Sequence, residues 1–567
     1  MEILELLDKY FDTAFAAPDG VKRLRELILS LAMRGKLVPQ DGREQPAREL
    51  LKEIEAEKER LVKEGKIKKS KPLPEIKPDE IPYEIPESWE WVRIRSICHD
   101  WGQKKPDKRF TYIDVGSIDN KNGVISDSVQ LLESKEAPSR ARKIVNRETV
   151  IYSTVRPYLL NIAVIEKEYD YEPIASTAFA ILHPYTVINT RFIYHYLKSP
   201  TFIEYVEDQM KGVAYPAIND GNFFQGLFPL PPLPEQRRIV EKIDRLMSRC
   251  DELERLRDKR NQKRLIVHAA ACDRLLNAKD DQGFRKAWDF IRHNFSDLYS
   301  VKENVSELRK AILQLAVMGK LVPQNPDDPP ASELLKEIEE EKERLVKEGK
   351  IKKSKKLPEI TPDEIPYDLP EGWEWSRLKS LSLLIEYGTS KKTGTDSSKI
   401  PVYRMGNIFN GRLIDVNFKH IDENIDDLPR LYLQRNDILF NRTNSYDLVG
   451  KTAIYQGKDN ISTFASYLIR VKLYEKYIFP FYINMAMNSP YFRKTQIEPE
   501  IIQQCGQANF NGTKLSETLI PLPPLPEQHR IVAKVDKLMT LCDQLEQQID
   551  RATDKQTTLL NAVMSRE

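Results

Sequence analysis

Two stretches of this chain carry apolar residues alternately four and three positions apart. After Pro234 the stripe runs Ile239, Ile243, Leu246, Cys250 and Leu253; after Pro526 it runs Ile531, Val535, Leu538, Cys542, Leu545 and Ile549. This is an a/d seam, so each stretch predicts a long helix that needs a helical neighbour. The candidate helix-pairing residues are Ile239, Ile243, Leu246 and Leu253 in the first copy, with Ile531, Val535, Leu538 and Leu545 in the second. A proline run precedes each seam, "PLPPLPEQ" from Pro229 and again from Pro521. Proline is tolerated in a first helical turn and Glu235 suits its positive end, so the run stops whatever comes before and starts the helix. Roughly 40 residues at about 1.5 Å each make a rod on the order of 60 Å.

A second pattern is shorter. Leu24, Ile28 and Leu31, matched by Leu308, Ile312 and Leu315, predict an amphipathic helix stopped at "GKLVPQ". Leu51, Ile54 and Leu61, matched by Leu335, Ile338 and Leu345, predict a charged helix ending at Gly65 or Gly349. Between these patterns lie runs of strand character, such as "RKIVNRETVIYS", "FAILHP", "NDILFNR" and "KTAIYQG", with helical pieces near "FIYHYLKSPTFIEYVEDQM" and "FYINMAMNSPYFRK". They predict two α+β domains of about 140 residues.

The patterns are duplicated. "ELLKEIEAEKERLVKEGKIKKSKPLPEI" from Glu49 returns as "ELLKEIEEEKERLVKEGKIKKSKKLPEI" from Glu333, and "PDEIPYEIPESWEW" from Pro78 as "PDEIPYDLPEGWEW" from Pro362. The inserts between them diverge, keeping only a faint framework: "YIDVGSI" at Gly116 beside "VYRMGNI" at Gly406, Gly102 beside Gly388, and "RETVIY" beside "RNDILF". The expected domains are a helical element over 1–86, a first insert over 87–228, a central helical region over 229–370, a second insert over 371–520, and a last helix over 521–567. In the middle the long helix runs straight into the short-helix element. If the first and last segments pack as that central pair does, the molecule closes with pseudo-twofold symmetry. Two unlike domains held in that way suit two different DNA half-sites.

Composition narrows the chemistry. The 567 residues exceed one ordinary domain. Lys plus Arg (88) almost cancels Asp plus Glu (86), so any basic surface is local. Five cysteines without a C-x-x-C pattern and with no His at metal-ligand spacing predict reduced thiols and no metal site. The start "MEILELLDKYFD" has no export signature and no apolar run is long enough to span a bilayer, which predicts a soluble cytoplasmic protein. "LVGKTAIY" fails as a phosphate loop because Ser445 stands where glycine is required. The seven histidines form no pair with ligand spacing, so no catalytic or metal role is assigned to any of them.

Taken together, the doubled "PLPPLPEQ" helix, the doubled "ELLKEIE…KERLVKEGKIKKSK…WEW" element, and the phrases "YRMGNIFNG", "DILFNRTNSYDLVGKTAIY" and "VIYSTVRPYLLNIAVI" resemble the specificity subunits of type I restriction-modification systems. The resemblance covers essentially the whole chain and is similar to the longer variant, whose partial repeat comes first. It implies a non-catalytic reader of double-stranded DNA in which each target-recognition domain binds half of an asymmetric, interrupted site. The paired helices would set the spacer and hold two modification subunits. S-adenosylmethionine would belong to those methyltransferase partners. ATP and magnesium would belong to the restriction (translocase and endonuclease) partners, leaving this chain without a cofactor. A coiled-coil scaffold that never touches DNA is the alternative; it leaves the divergence of the two inserts unexplained.

Reading DNA needs side chains on base edges and cations on phosphates. In the first insert Tyr152, Thr154, Arg156 and Tyr158 are the candidates, with Lys104, Lys105, Arg140 and Arg142 toward phosphate. In the second they are Arg442, Thr443, Asn444, Tyr446 and Lys451, with Lys391, Lys392, Arg404 and Asn407. Asn407 or Asn444 would suit adenine, and Arg156 or Arg442 guanine. Asn219 and Asn511, before each long helix, read as structural.

Overall fold

The computed structural model describes residues 15–69, 72–127, 129–212, 216–353, 357–504 and 506–564; the opening "MEILELLDKYFD" and Cys505 lie outside them. The chain forms two compact units, Met1–Lys259 with Thr553–Glu567, and Arg260–Ala552. The division falls inside each long helix, Leu233–Leu276 and Leu525–Met564, so the five sequence segments are regrouped into two units of the same build.

Each unit starts from two short helices, Gly20–Met33 and Ala47–Lys63 in the first, Lys302–Val317 and Ala331–Lys347 in the second. A sheet-rich domain follows, rooted on an antiparallel strand pair. Glu90–Arg93 pairs with Leu227–Leu230, and Glu374–Arg377 with Leu519–Leu522, in the same register: Glu90 faces Leu230 and Glu374 faces Leu522. The first domain adds two four-stranded sheets; the second has one sheet of six strands and two of three. The faint framework is real backbone. The turns Val115–Ser117 and Met405–Asn407 match, and strand Val150–Ser153 corresponds to Ile438–Asn441.

At the root of each long helix the doubled motifs meet. Glu235 is buried; its carboxylate accepts from the Trp89 indole at 3.0 Å and the Gln40 amide at 2.6 Å. Glu527 accepts from Trp373 at 3.0 Å and Gln324 at 3.2 Å. Burial raises both carboxyl pKa values, and the indole and amide donors oppose that shift. The adjoining glutamines tie the sheet domain on: Gln236 accepts the Asn189 N–H and Gln528 the Phe479 N–H, both at 2.8 Å. "LVPQ", "WEW" and "PLPPLPEQ" are thus three parts of one clamp. Gly35 and Gly319 belong to it too: at φ +69° and +67°, an added Cβ would lie 2.4 Å from Pro86 or Pro370.

The seams find their neighbours, with one exception. Ile239 and Ile243 are buried in the core that holds Val21, Ile28 and Ala32, with Leu246 packed against it. Ile531 and Val535 are buried in the core of Ile312 and Leu315, to which Ala271 and Leu275 of the other long helix also belong, with Leu538 and Leu545 packed on it. The first partner of each seam is therefore the short helix of its own unit. Leu253, expected in the seam, is 45 % exposed. Beside it the contact has become ionic, Arg25 pairing with Asp251 at 2.6 Å and Glu254 at 3.0 Å.

Beyond the clamp, each unit closes on the tip of a long helix. In the second unit the imidazole of His268 lies 3.0 Å from the Tyr299 hydroxyl, and Lys320 donates to the carbonyl of Leu276 at 2.9 Å. In the first unit Leu560 is buried with Phe15, Ala17 and Leu27. By the two repeat offsets, Leu560 answers to His268 and Phe15 to Tyr299.

Candidate nucleic-acid interface

The exposed loops of the two sheet domains come from corresponding strand ends. In the first domain the strand Val150–Ser153 runs into a loop in which Arg156 and Leu160 take φ +49° and +50°. This left-handed region is unfavourable for a side-chain-bearing residue by about 1–2 kcal/mol. The Arg156 N–H donates to the Pro216 carbonyl at 2.8 Å, and the Leu159 carbonyl accepts from the Asn120 amide at 3.1 Å. The loop is thereby fixed with Arg156 and Tyr158 facing outward, Tyr158 being 47 % exposed. Lys121, on the neighbouring hairpin, and Lys211, bridged through its backbone to Ala217, are exposed beside it. Sequence reasoning missed both; the turn "DNKNG" was the available signal for Lys121.

In the second domain Tyr446 occupies the position of Tyr158 and is 39 % exposed. The Arg493 guanidinium lies 5.1 Å from its ring centre and donates to its carbonyl at 2.6 Å. Arg442 lies 5.1 Å from the ring centre of Tyr387, and Lys392 and Lys451 are exposed. Tyr387 and Tyr467, 44 % and 46 % exposed, were not candidates. Nothing in their local sequence marks them, because what qualifies them is their neighbour across the fold.

Several candidates are corrected. Tyr152 is buried against Phe202 and Phe223, at ring-centre distances of 6.0 and 4.8 Å, so it is a core residue. Buried Thr154 turns its hydroxyl onto the Ala178 carbonyl at 2.9 Å. Buried Thr443 donates to Asn509 at 2.8 Å. Asn407, also buried, accepts the Arg404 N–H and donates to the Ile414 and Val416 carbonyls, so it holds its own turn and has no edge left for adenine. Strands buried on both faces, and turn closure, neither of which spacing alone reveals, place these four inside.

Others are exposed in part but already engaged. Lys104 is paired with Glu172 at 2.6 Å, and Lys391 with Asp426 at 3.5 Å. Arg142 folds back on the Ala141 carbonyl at 2.6 Å, and Arg404 donates to the Asn417 carbonyl at 2.9 Å. Asn444 accepts the Ser445 N–H at 2.8 Å. Lys105 and Arg140 are exposed. Asn219 and Asn511 cap the helices Asp220–Gln225 and Gly512–Glu517, a structural role.

Among the described residues no three His, Cys, Asp or Glu side chains converge as metal ligands. His268 and Cys272 do stand one helical turn apart, 3.6 Å from Nε2 to Sγ, a spacing the sequence reading overlooked. Burial pushes that thiol up to about 11 and holds the imidazole down. No helix among the described residues is long and apolar enough to cross a membrane.

Residues 86–262 and 370–552 match the model of a family described as the type I restriction modification DNA specificity domain. The chain is 36 % identical over 558 residues to the type I restriction enzyme EcoAI specificity subunit of Escherichia coli, covering 96 % of this chain and 93 % of that one. To the EcoEI specificity subunit of the same species it is 32 % identical over 561 residues, again covering 96 % and 93 %. A chain from a solved structure titled "Structural basis underlying complex assembly and conformational transition of the type I R-M system" shares the fold, with a TM-score of 0.51 at 22 % identity over 86 % of this chain and 98 % of that chain.

Proposed function

The chain belongs to the family of type I restriction-modification specificity subunits, and from that premise we propose that its two sheet domains each read one half of an asymmetric, interrupted DNA site. As a specificity subunit it is the DNA-recognition component of its system and not the catalytic one. One observation carries the two-half-site reading. Two domains rooted on near-identical clamps share a backbone framework and an exposed loop tyrosine, Tyr158 or Tyr446, yet differ in the residues between it and the strand end, Thr154 and Arg156 against Arg442 and Asn444. A scaffold has no use for that divergence.

The remaining roles follow from the family. The doubled helices hold two modification subunits, which bind S-adenosylmethionine and methylate adenine, and they set the spacer. Restriction subunits bring ATP- and magnesium-dependent translocation and cleavage, and the complex works in the cytoplasm. This chain contributes no cofactor. Lys105, Arg140, Lys392 and Lys451 serve phosphates, and Arg156, Tyr158, Arg442 and Tyr446 face the bases.

The test is a gel shift of the chain with its modification partner on duplexes carrying the site located by sequencing adenine methylation in cells. Retardation with a steep loss of affinity on added salt is expected. Exchange of residues 98–225 for another first domain should change one half of the methylated site and leave the other. No retardation, or a change in both halves, would sink the proposal.

A further inference from the structure

One place in the two recognition domains keeps its backbone and changes its side chains. At the end of strand Val150–Ser153 the Thr154 N–H donates to the Ala178 carbonyl at 2.8 Å; at the end of Ile438–Asn441 the Arg442 N–H donates to the Tyr467 carbonyl at 3.0 Å. The adjoining bridges correspond as well, Val155 to Ala217 and Thr443 to Asn509. In the first domain this position is closed: Thr154 and Ala178 are small and buried. In the second it is aromatic: Tyr387 lies under the Arg442 guanidinium and Tyr467 stands where Ala178 does, both half exposed.

The arginine is held in place but not neutralised. Its guanidinium lies over Tyr387, whose hydroxyl accepts the Gly512 N–H at 2.7 Å and is thereby pinned. Arg430, Arg470 and Arg493 of the same domain each hold a carboxylate. Among the described residues Arg442 holds none. Its side chain makes one long contact, Nη1 to the Ser466 carbonyl at 3.4 Å, and its buried Nε has no acceptor. A ring-backed guanidinium loses less freedom on binding, and its planar fork matches the O6 and N7 acceptors of guanine in the major groove.

We propose that Arg442, positioned by Tyr387 and flanked by Tyr467, is the guanine reader of the second recognition domain, and that the first domain has no reader at the corresponding place. The proposal rests on the DNA-reading function above and assigns its chemistry to one strand end.

The test uses the full chain with its modification subunits and the duplex site found by methylation sequencing; the domain exchange identifies which half belongs to the second domain. Each guanine of that half is replaced in turn by 7-deazaguanine, which lacks only the N7 acceptor. One replacement should lower affinity about tenfold. Arg442→Thr with Tyr467→Ala, the first domain's own residues, should make that replacement neutral. Tyr387→Phe, which keeps the ring and frees it from Gly512, should weaken discrimination there a few-fold and nowhere else, which a merely structural role would not do. Three results would overturn the proposal: a second half-site without guanine on either strand, a half-site indifferent to every 7-deazaguanine, or an Arg442→Thr, Tyr467→Ala complex that still discriminates the same guanine. If the wild-type complex retards no duplex carrying the site, the DNA-reading function itself falls, and the guanine assignment with it.

Discussion

The tips of the two long helices are packed by equivalent positions in different ways. In the second unit the joint adds polar contacts to an apolar core and is close along the chain: beside buried Ala271, Leu275 and Leu298, His268 meets Tyr299, and Arg260 and Arg264 pair with Asp297 at 3.2 and 2.7 Å. In the first unit the equivalent joint is apolar, Leu560 on Phe15, Ala17 and Leu27, and its partners are more than 500 residues apart. Loop closure over that separation, rather than over about 30 residues, costs at most about 2.5 kcal/mol more. Burial without directional requirements is the simplest way to offset such a cost, whereas the central joint, already held by the chain, can use a hydrogen bond whose net contribution is about 1 kcal/mol. The clamps at the helix roots, by contrast, are the same in both units.

The largest expected effect comes from removing the apolar joint altogether. Ending the chain at Ala552 uncovers Phe15 and Leu27, and should destabilise the first unit by about 3–6 kcal/mol. Amide exchange should then quicken across Gly20–Lys63 and stay unchanged across Lys302–Lys347. Leu560→Ala should cost about 2–5 kcal/mol in the same region. His268→Ala, its equivalent, should cost about 1–3 kcal/mol by leaving the buried Tyr299 hydroxyl without its partner. Equal losses from the two would erase the distinction between the joints.

The clamps give the control. Trp89→Phe and Trp373→Phe each remove a donor from a buried carboxylate, and each should cost about 1.5–3 kcal/mol in its own unit by chemical denaturation. Unequal losses would show that the doubled motifs are alike in sequence but not in role.

Acid should separate the units by a smaller margin. Burial holds His183 down to about 4 and depresses His99 and His195, all in the first unit, whereas the second has the depressed His268. A folded pKa below the unfolded value of about 6.5 means that the unfolded chain binds more protons between the two, so stability is lost as pH falls from about 6.5 toward 4. Amide protection relative to the intrinsic exchange rate at each pH should fall more in the first unit than in the second between pH 7 and 5. The smallest effects on stability belong to Tyr446→Ala, about 0.5–1 kcal/mol because its ring faces the Arg493 guanidinium, and Tyr158→Ala, within about 0.5 kcal/mol because its ring is exposed. Each should nevertheless weaken DNA binding through one half-site only.

Much of the architecture was legible because it rests on periodicity and repetition. The four-three stripes announced the long helices to within a residue or two, Leu233–Leu276 against an expected start near Pro234. The faint framework between the inserts proved to be matching turns and strands. The meaning of "PLPPLPEQ" was half legible. Its helix start follows from local rules, but its Glu and Gln act on Trp89, Gln40 and Asn189, which lie up to about 200 residues away, and no local pattern records that.

The candidate interface divides along the same line. Residue type drew attention to the strand ends near Arg156 and Arg442, where cations, hydroxyls and rings collect. Whether a side chain there faces water or the core depends on strand register and on how each loop closes, so Tyr152, Thr154, Asn407 and Thr443 turned inward while Tyr387 and Tyr467 came forward. By itself the sequence determined two long helices, two unlike sheet domains and a doubled helical frame, because these follow from interactions between residues a few positions apart or from a repeat that can be read directly. Only the tertiary structure decided which rings back which cations and what covers each helix tip, because those contacts join residues that the chain leaves far apart and the shared core alone brings together.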